Sequence, residues 1–223
     1  MSIVLLVRHG QASWGAADYD VLSPLGAEQA RLLGRDLAAR GLTPDVVVHG
    51  SLQRQRETAR LLVEAATWGS PPTLDPDWDE MDHLQVLART PRQQAGDQQT
   101  RAEFQAWFEA ATDRWTGGGF DEEYDESFPR FGERVAAALR GVGAGLPPAG
   151  VAVVVTSGGP VARIAAELLA GDAATIPTYR RLAPVVVNSS VTKLVLGRRG
   201  TTLVSFNEHA HLERAGSRLV TYR

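Results

Sequence analysis

The chain contains no cysteine. That absence excludes disulfides, thiolate zinc sites and cysteine nucleophiles together. It is compatible with a reducing cytoplasm, the location expected for this protein. Lysine is almost absent too: Lys193 stands alone beside the arginines. A lysine-built phosphate cradle is therefore excluded unless Lys193 itself sits in the site. No segment approaches the ~20 apolar residues needed to span a membrane, so no membrane association is expected. The opening Met1 to Gly10 lacks a basic leader region, and its apolar run is too short for a signal peptide. The net charge of −3 gives no reason to expect a nucleic-acid partner. There is no internal repeat and no heptad pattern.

What is present suits an ordinary globular chain. The 223 residues allow one domain with room for an insertion. Folding at this size buries roughly 70% of the unfolded chain's surface, so a core is available without staples. Ile3 to Val7 is a short apolar run, as expected of a central strand covered on both faces. Ser23-Pro24 opens a helical pattern as N-cap and first residue, with Leu25, Leu32, Leu33 and Leu37 as its apolar face and Gly41 as its end. Asp45 to Val48 reads as a second strand, and Gly50-Ser51 leads into a second helix. Val151 to Val155, Val191 to Leu196 and Thr202 to Phe206 complete the strands. A helix through Ile164, Leu168 and Leu169 follows the first of these three. Alternation of this kind predicts a layered α/β domain. Ligands in such sheets bind beyond the carboxyl ends of the strands, where Arg8-His9-Gly10, Gly50 to Arg54 and Thr156 to Pro160 fall.

Between about Leu84 and Phe128 the composition changes. Glutamine, arginine and tryptophan rise, and Gly117-Gly118-Gly119 and the acidic run Asp121 to Glu126 appear. This stretch reads as a mostly helical cap inserted into a single domain spanning residues 1–223. Its acidic run is expected to be a solvated loop.

Arg-His-Gly directly after a buried strand carries chemistry. A histidine there can tie one ring nitrogen to a backbone carbonyl and present the other to a cleft. A neutral imidazole is a competent nucleophile toward phosphorus. Arg8 adds a planar cation suited to phosphate oxygens, and Gly10 allows close backbone approach. The competing reading is a surface Arg-His pair.

Arg8-His9-Gly10-Gln11-Ala12-Ser13 resembles the signature of the histidine phosphatase superfamily, which includes the cofactor-dependent phosphoglycerate mutases. The resemblance extends through Leu22-Ser23-Pro24-Leu25-Gly26 and Glu28-Gln29-Ala30. It continues through Ser51 to Ala59, where Arg54 stands four residues before Thr58-Ala59, and ends at Asn207 and His211-Leu212. It implies a three-layer α/β/α sandwich with a mostly parallel central sheet. It also implies phosphomonoester hydrolysis without metal or organic cofactor. His9 would be the nucleophile, Arg8 and Arg54 the phosphate holders and Glu80 the general acid, with Asp79 and Asp82 as rivals. Gly10, Gln11, Ser13, Ser157 and Gly158 would line the phosphate. Arg56, two residues beyond Arg54, should point off that face.

The sequence departs from the family pattern at Thr156-Ser157-Gly158-Gly159. A second histidine is expected there, and Ser157 takes its place. A hydroxyl donates one hydrogen bond without charge, and charge-assisted bonds are about twice as strong. Catalysis should weaken unless something compensates. His209 or His211 could reach the site, or could simply pack in the tail. Near Ser13 and Trp14, Gly15 stands where mutases carry asparagine, which lowers the weight of a mutase. Thr156 to Pro160 lacks the ending of a nucleotide-binding loop. Val155 occupies the first glycine position of a serine-hydrolase elbow, which disfavours that class. The expected partner is a small phosphorylated substrate, and a homodimer stays open. Mutase-type phosphoryl transfer and a weakened phosphate-binding or regulatory protein stand as alternatives.

Overall fold

A computed structural model describes residues 1–13, 20–91, 101–171 and 174–222. They form two compact units, Met1–Glu80 with Val135–Arg223, and Met81–Arg134.

The first unit holds a six-stranded mixed sheet. Its strands are β1 (Ser2–Arg8), β2 (Val46–His49), β3 (Thr73–Leu74), β4 (Val151–Thr156), β5 (Val191–Gly197) and β6 (Gly200–Glu208). The spatial order is β3-β2-β4-β1-β5-β6. The first four in that order run parallel, and β1-β5 and β5-β6 are antiparallel. This is the mostly parallel α/β sheet that the strand–helix alternation predicts. Among the described residues there are eight α-helices.

Helix α1 (Pro24–Ala39) begins where the capping residues placed it. Ser23 Oγ accepts from Gly26 N at 3.0 Å, and Pro24 takes the first turn, where no amide partner is needed. Gly41, at φ +72°, follows its end. Leu33 and Leu37 pack with Leu62 and Val63 of α2 (Gln53–Ala66) onto Leu5, Val7, Val47, Val153 and Val155. Strand alternation sends Val4, Leu6, Ala152 and Val154 to the opposite face, where all four are buried. Helix α6 (Gly158–Ala170) covers that side. The continuous apolar run at residues 3–7 thus has both faces covered. Leu25 and Leu32 do not join the sheet core; they pack against Val187, Leu212 and Leu219.

Helices α1 and α2 approach closely at Gly34, where an added Cβ would overlap the Leu62 carbonyl oxygen. Alanine would gain about 1 kcal/mol of helix propensity over glycine. The obstacle is backbone, however, so the helices would have to separate, at about 1–3 kcal/mol for overpacking. Gly34→Ala is therefore expected to lower stability on balance, read as a lower denaturant midpoint with an unchanged slope.

The second unit contains α3 (His83–Ala88), α4 (Arg101–Thr116) and the start of α5 (Phe128–Gly145). Trp115 packs edge-on against Phe128, with ring centroids 5.1 Å apart, and also touches Phe131. The acidic run is largely solvated, as its charge suggested, with Glu122, Glu123 and Asp125 exposed, but two of its carboxylates are paired. Glu123 pairs with Arg114 at 2.7 Å and Glu126 with Arg134 at 2.6 Å, while Tyr124 is buried. Arginines nine and eight residues away pair with carboxylates that sequence alone leaves unpaired. The remaining helices are α7 (Thr175–Leu182) and α8 (Ala210–Ala215). No helix among the described residues is long and apolar enough to cross a membrane.

Candidate active site

His9 follows the end of β1 and is buried. Its Nδ1 lies 2.7 Å from the Gly10 carbonyl oxygen. A carbonyl only accepts, so Nδ1 carries the proton and Nε2 holds the lone pair. Arg54 Nε donates to that Nε2 at 3.1 Å. Burial first, then the positive charges of Arg54 and Arg8, hold the His9 pKa well below its ordinary value; the Gly10 bond opposes this. The ring is neutral, with one tautomer fixed.

The segment around His9 is held from several directions. Gly10 N donates to Thr58 Oγ1 at 3.0 Å, and that hydroxyl donates to Arg54 O at 2.7 Å. A Cβ on Gly10 would overlap the Gly26 carbonyl, and one on Gly26 would overlap Gln11. His9 O accepts from Asn188 Nδ2 at 3.2 Å and from Ser189 N at 3.3 Å. Ser189 reaches this position with φ +58°, a conformation rare for a residue with a side chain.

Arg54 is also buried, and its Nη1 pairs with Asp20 Oδ1 at 2.7 Å. The same carboxylate accepts from Gln53 N at 2.7 Å and Arg54 N at 3.4 Å. Leu52, the N-cap of α2, has no side chain able to do this. Asp20 thus caps the helix from outside and fixes the guanidinium that meets His9. Arg56 is exposed.

Glu80 lies beside the start of α6. Its Oε2 accepts from Gly159 N at 2.9 Å, and a Cβ on Gly159 would overlap Oε1. Its two rivals have other tasks. Asp79 accepts from Ser51 N at 2.6 Å and from the Ser51 hydroxyl. Asp82 caps α3 through Leu84 N and Gln85 N. Tyr179, buried, has its pKa raised by burial and by the nearby Glu80 charge, so its hydroxyl stays neutral.

Parallel register sets Arg8 opposite Thr156, and His9 N continues the ladder to Thr156 O at 2.8 Å. Ser157 is therefore the neighbour of His9 across the strands. Gly158 lies against Arg8: its added Cβ would stand 3.5 Å from Arg8 Nε. Arg8 Nη1 donates to the Val186 and Tyr222 carbonyls. One face of the guanidinium expected to hold phosphate is thus committed to backbone. Gln11 Oε1 accepts from Ser23 Oγ at 2.9 Å, and Ser13 N donates to Val21 O. Both help to shape the turn into α1. Trp14 and Gly15 lie outside the described residues. His209 Nδ1 lies 2.6 Å from Asn207 O, and its Nε2 lies 3.4 Å from Glu213. Buried His211 lines a cavity of about 280 Å³ with Asp36, Arg40 and Arg214. Both histidines are accounted for by the tail and its surroundings.

Residues 4–209 match the model of the histidine phosphatase superfamily (branch 1). The chain belongs to that superfamily. The chain is similar over 73 residues, at 44% identity, to the 2,3-bisphosphoglycerate-dependent phosphoglycerate mutase of Thermobifida fusca, covering 30% of the chain and 29% of that mutase. It is 38% identical over 61 residues to the mitochondrial serine/threonine-protein phosphatase PGAM5 of Xenopus tropicalis, covering 26% of the chain and 22% of that protein. The matches therefore span under a third of these two relatives' lengths. Among solved structures, a phosphoserine phosphatase of Entamoeba histolytica in complex with phosphoserine superposes with TM-score 0.69 at 18% identity. That match covers 95% of this chain and all of the other. A mycobacterial glucosyl-3-phosphoglycerate phosphatase gives TM-score 0.63 at 22% identity, covering 93% and 99%. At these identities the structures establish a shared fold.

Asp20, Gln55 and Asn188 are the site residues that the sequence did not single out. Thr58-Ala59 did lie within the quoted motif, and Asn188-Ser189-Ser190 is a polar run ahead of an apolar strand. That run was a readable signal, since buried polar groups need partners.

Proposed function

We propose that the protein is a phosphomonoester hydrolase that works through a phosphohistidine on His9. The observation that carries this reading is the fixed tautomer: Nδ1 faces Gly10 O and the Nε2 lone pair meets Arg54.

In the first step Nε2 attacks phosphorus in line. The N–P bond forms as the P–O bond to the leaving group breaks. The Arg54 Nε–H keeps its proton and turns its hydrogen bond from Nε2 to a phosphoryl oxygen. Arg8 beside Gly158 adds positive charge to the same region. Glu80 gives its proton to the leaving oxygen; with Oε2 already accepting from Gly159, that proton rides on Oε1. In the second step water attacks phosphorus, gives a proton back to Glu80, and the N–P bond breaks. The products are an alcohol and inorganic phosphate, and the enzyme is restored. Such transfer depends mainly on positioning and electrostatics.

The curated relatives named as mutases support a second reading, transfer of the same phosphoryl group within a substrate. Both readings use His9 in the first step. They part at the acceptor, which is water or a substrate hydroxyl.

The test is incubation with a generic aryl phosphate and acid-sensitive trapping of the phosphoenzyme. Steady release of phosphate with a phosphohistidine mapped to His9 is expected. Turnover that requires a bisphosphate primer would replace hydrolase by mutase. Tight phosphoester binding without turnover would make this a phosphate-binding protein.

A further inference from the structure

Gln55 follows Arg54 on α2 and is fully buried. Its Nε2 donates to Ser157 Oγ at 2.9 Å and lies 3.2 Å from Trp78 O. The Trp78 carbonyl, which also accepts from Thr156 Oγ1 at 2.5 Å, can only accept. It therefore fixes which end of the amide faces it. The amide oxygen points the other way, toward Gly50, and finds no donor among the described residues.

As a structural bond this is a poor arrangement. A buried acceptor left unpaired cancels much of what the Nε2 bonds gain, and an apolar side chain of similar shape would fold about as well. Its effect on Ser157 is specific, however. A hydroxyl has one proton to give. With its oxygen accepting from Gln55, that proton must point away from the amide. Ser157 Oγ is buried and has no acceptor for it among the described residues. The register makes Ser157 the cross-strand neighbour of His9, and neighbouring strands run about 4.8 Å apart. Two residues further on, Gly159 holds Glu80. The hydroxyl proton thus has its target between nucleophile and acid.

We propose that Gln55 is a positioning residue that aims the Ser157 hydroxyl at a phosphoryl oxygen during transfer to His9. The pair forms an uncharged donor. This rests on the phosphohistidine reading above. Gln55 touches no reacting atom; Ser157 does.

The test is a double-mutant cycle on the full chain with Ser157→Ala, Gln55→Leu and the double variant, and Gln55→Met as a second probe of the same position. The readouts are kcat and KM on an aryl phosphate, inhibition by orthovanadate, and Tm. Losing one transition-state donor costs about 10²-fold in kcat, so that loss is expected for Ser157→Ala. Gln55→Leu and Gln55→Met should each lose about tenfold. The double variant should be no slower than Ser157→Ala, because the aim matters only while the hydroxyl is there. Vanadate inhibition should weaken in step, with KM and Tm little changed. Losses that multiply, or a Gln55 effect on Tm alone, would overturn the proposal. A phosphohistidine on His9 with kcat insensitive to Gln55 sinks this inference alone. Wild-type protein with neither phosphoenzyme nor vanadate-sensitive turnover sinks the phosphohistidine reading and this one with it.

Discussion

His9→Ala is expected to lower kcat by about 10⁴-fold or more, because removing a covalent nucleophile removes the reaction path itself. Residual turnover would come from the remaining phosphate contacts acting on water. Activity equal to wild type would eliminate His9 as nucleophile. The same variant tests the electrostatics. Burial and two arginines keep folded His9 neutral well below its ordinary pKa. As pH falls through about 6.5, the unfolded chain takes up a proton there that the folded chain refuses. The stability that His9 allows is therefore present above about pH 6.5 and is lost progressively below it. His9→Ala should flatten that part of the curve of denaturant midpoint against pH. The wild-type kcat/KM should show no acid limb from this residue near pH 6.5, since the imidazole stays unprotonated. A limb there that vanishes with the histidine would contradict the burial.

Glu80→Gln is expected to have the next largest effect, and one that depends on the leaving group. An alkoxide leaves poorly without a proton, so an alkyl phosphate should lose about 10²–10⁴-fold in kcat, the range for a positioned general acid. A nitrophenolate leaves without help, so its ester should lose far less in the first step. Glutamine keeps the shape of the side chain, and its amide oxygen can still accept from Gly159 N, so Tm should hold. An equal loss on both substrates would remove Glu80 as the acid.

The parts of this site legible in sequence are those set by local chemistry. Ser23-Pro24 marked a helix start because capping is decided within three residues. Arg54 and Thr58 were legible because a one-turn spacing puts both on one helix face. The buried strand before His9 was legible from its apolar run. The rest depends on chain that is distant in sequence. Nothing near Arg8 announces that carbonyls at Val186 and Tyr222 take its Nη1. Asp20 looks like any loop aspartate until α2 arrives with an uncapped end. Gln55 reads as a polar helix residue, and only the chain at Trp78 and the turn after β4 give its amide partners. Asp79, Glu80 and Asp82 each accept from a backbone amide, at Ser51, Gly159 and Leu84 respectively, and two of those three partners lie far off in sequence.

The place of β1 in the sheet has a consequence for how the protein is made. It is the first strand of the sequence, yet it lies inside the sheet, between β4 and β5. Until residues 151–197 are available, Ile3 to Val7 has no hydrogen-bond partner on either edge. An unpaired apolar strand is a template for wrong pairing. Closure over such sequence distance is slow compared with local contacts. A ribosome-bound chain would thus hold this first strand exposed for most of synthesis, waiting on sequence nearly 150 residues away.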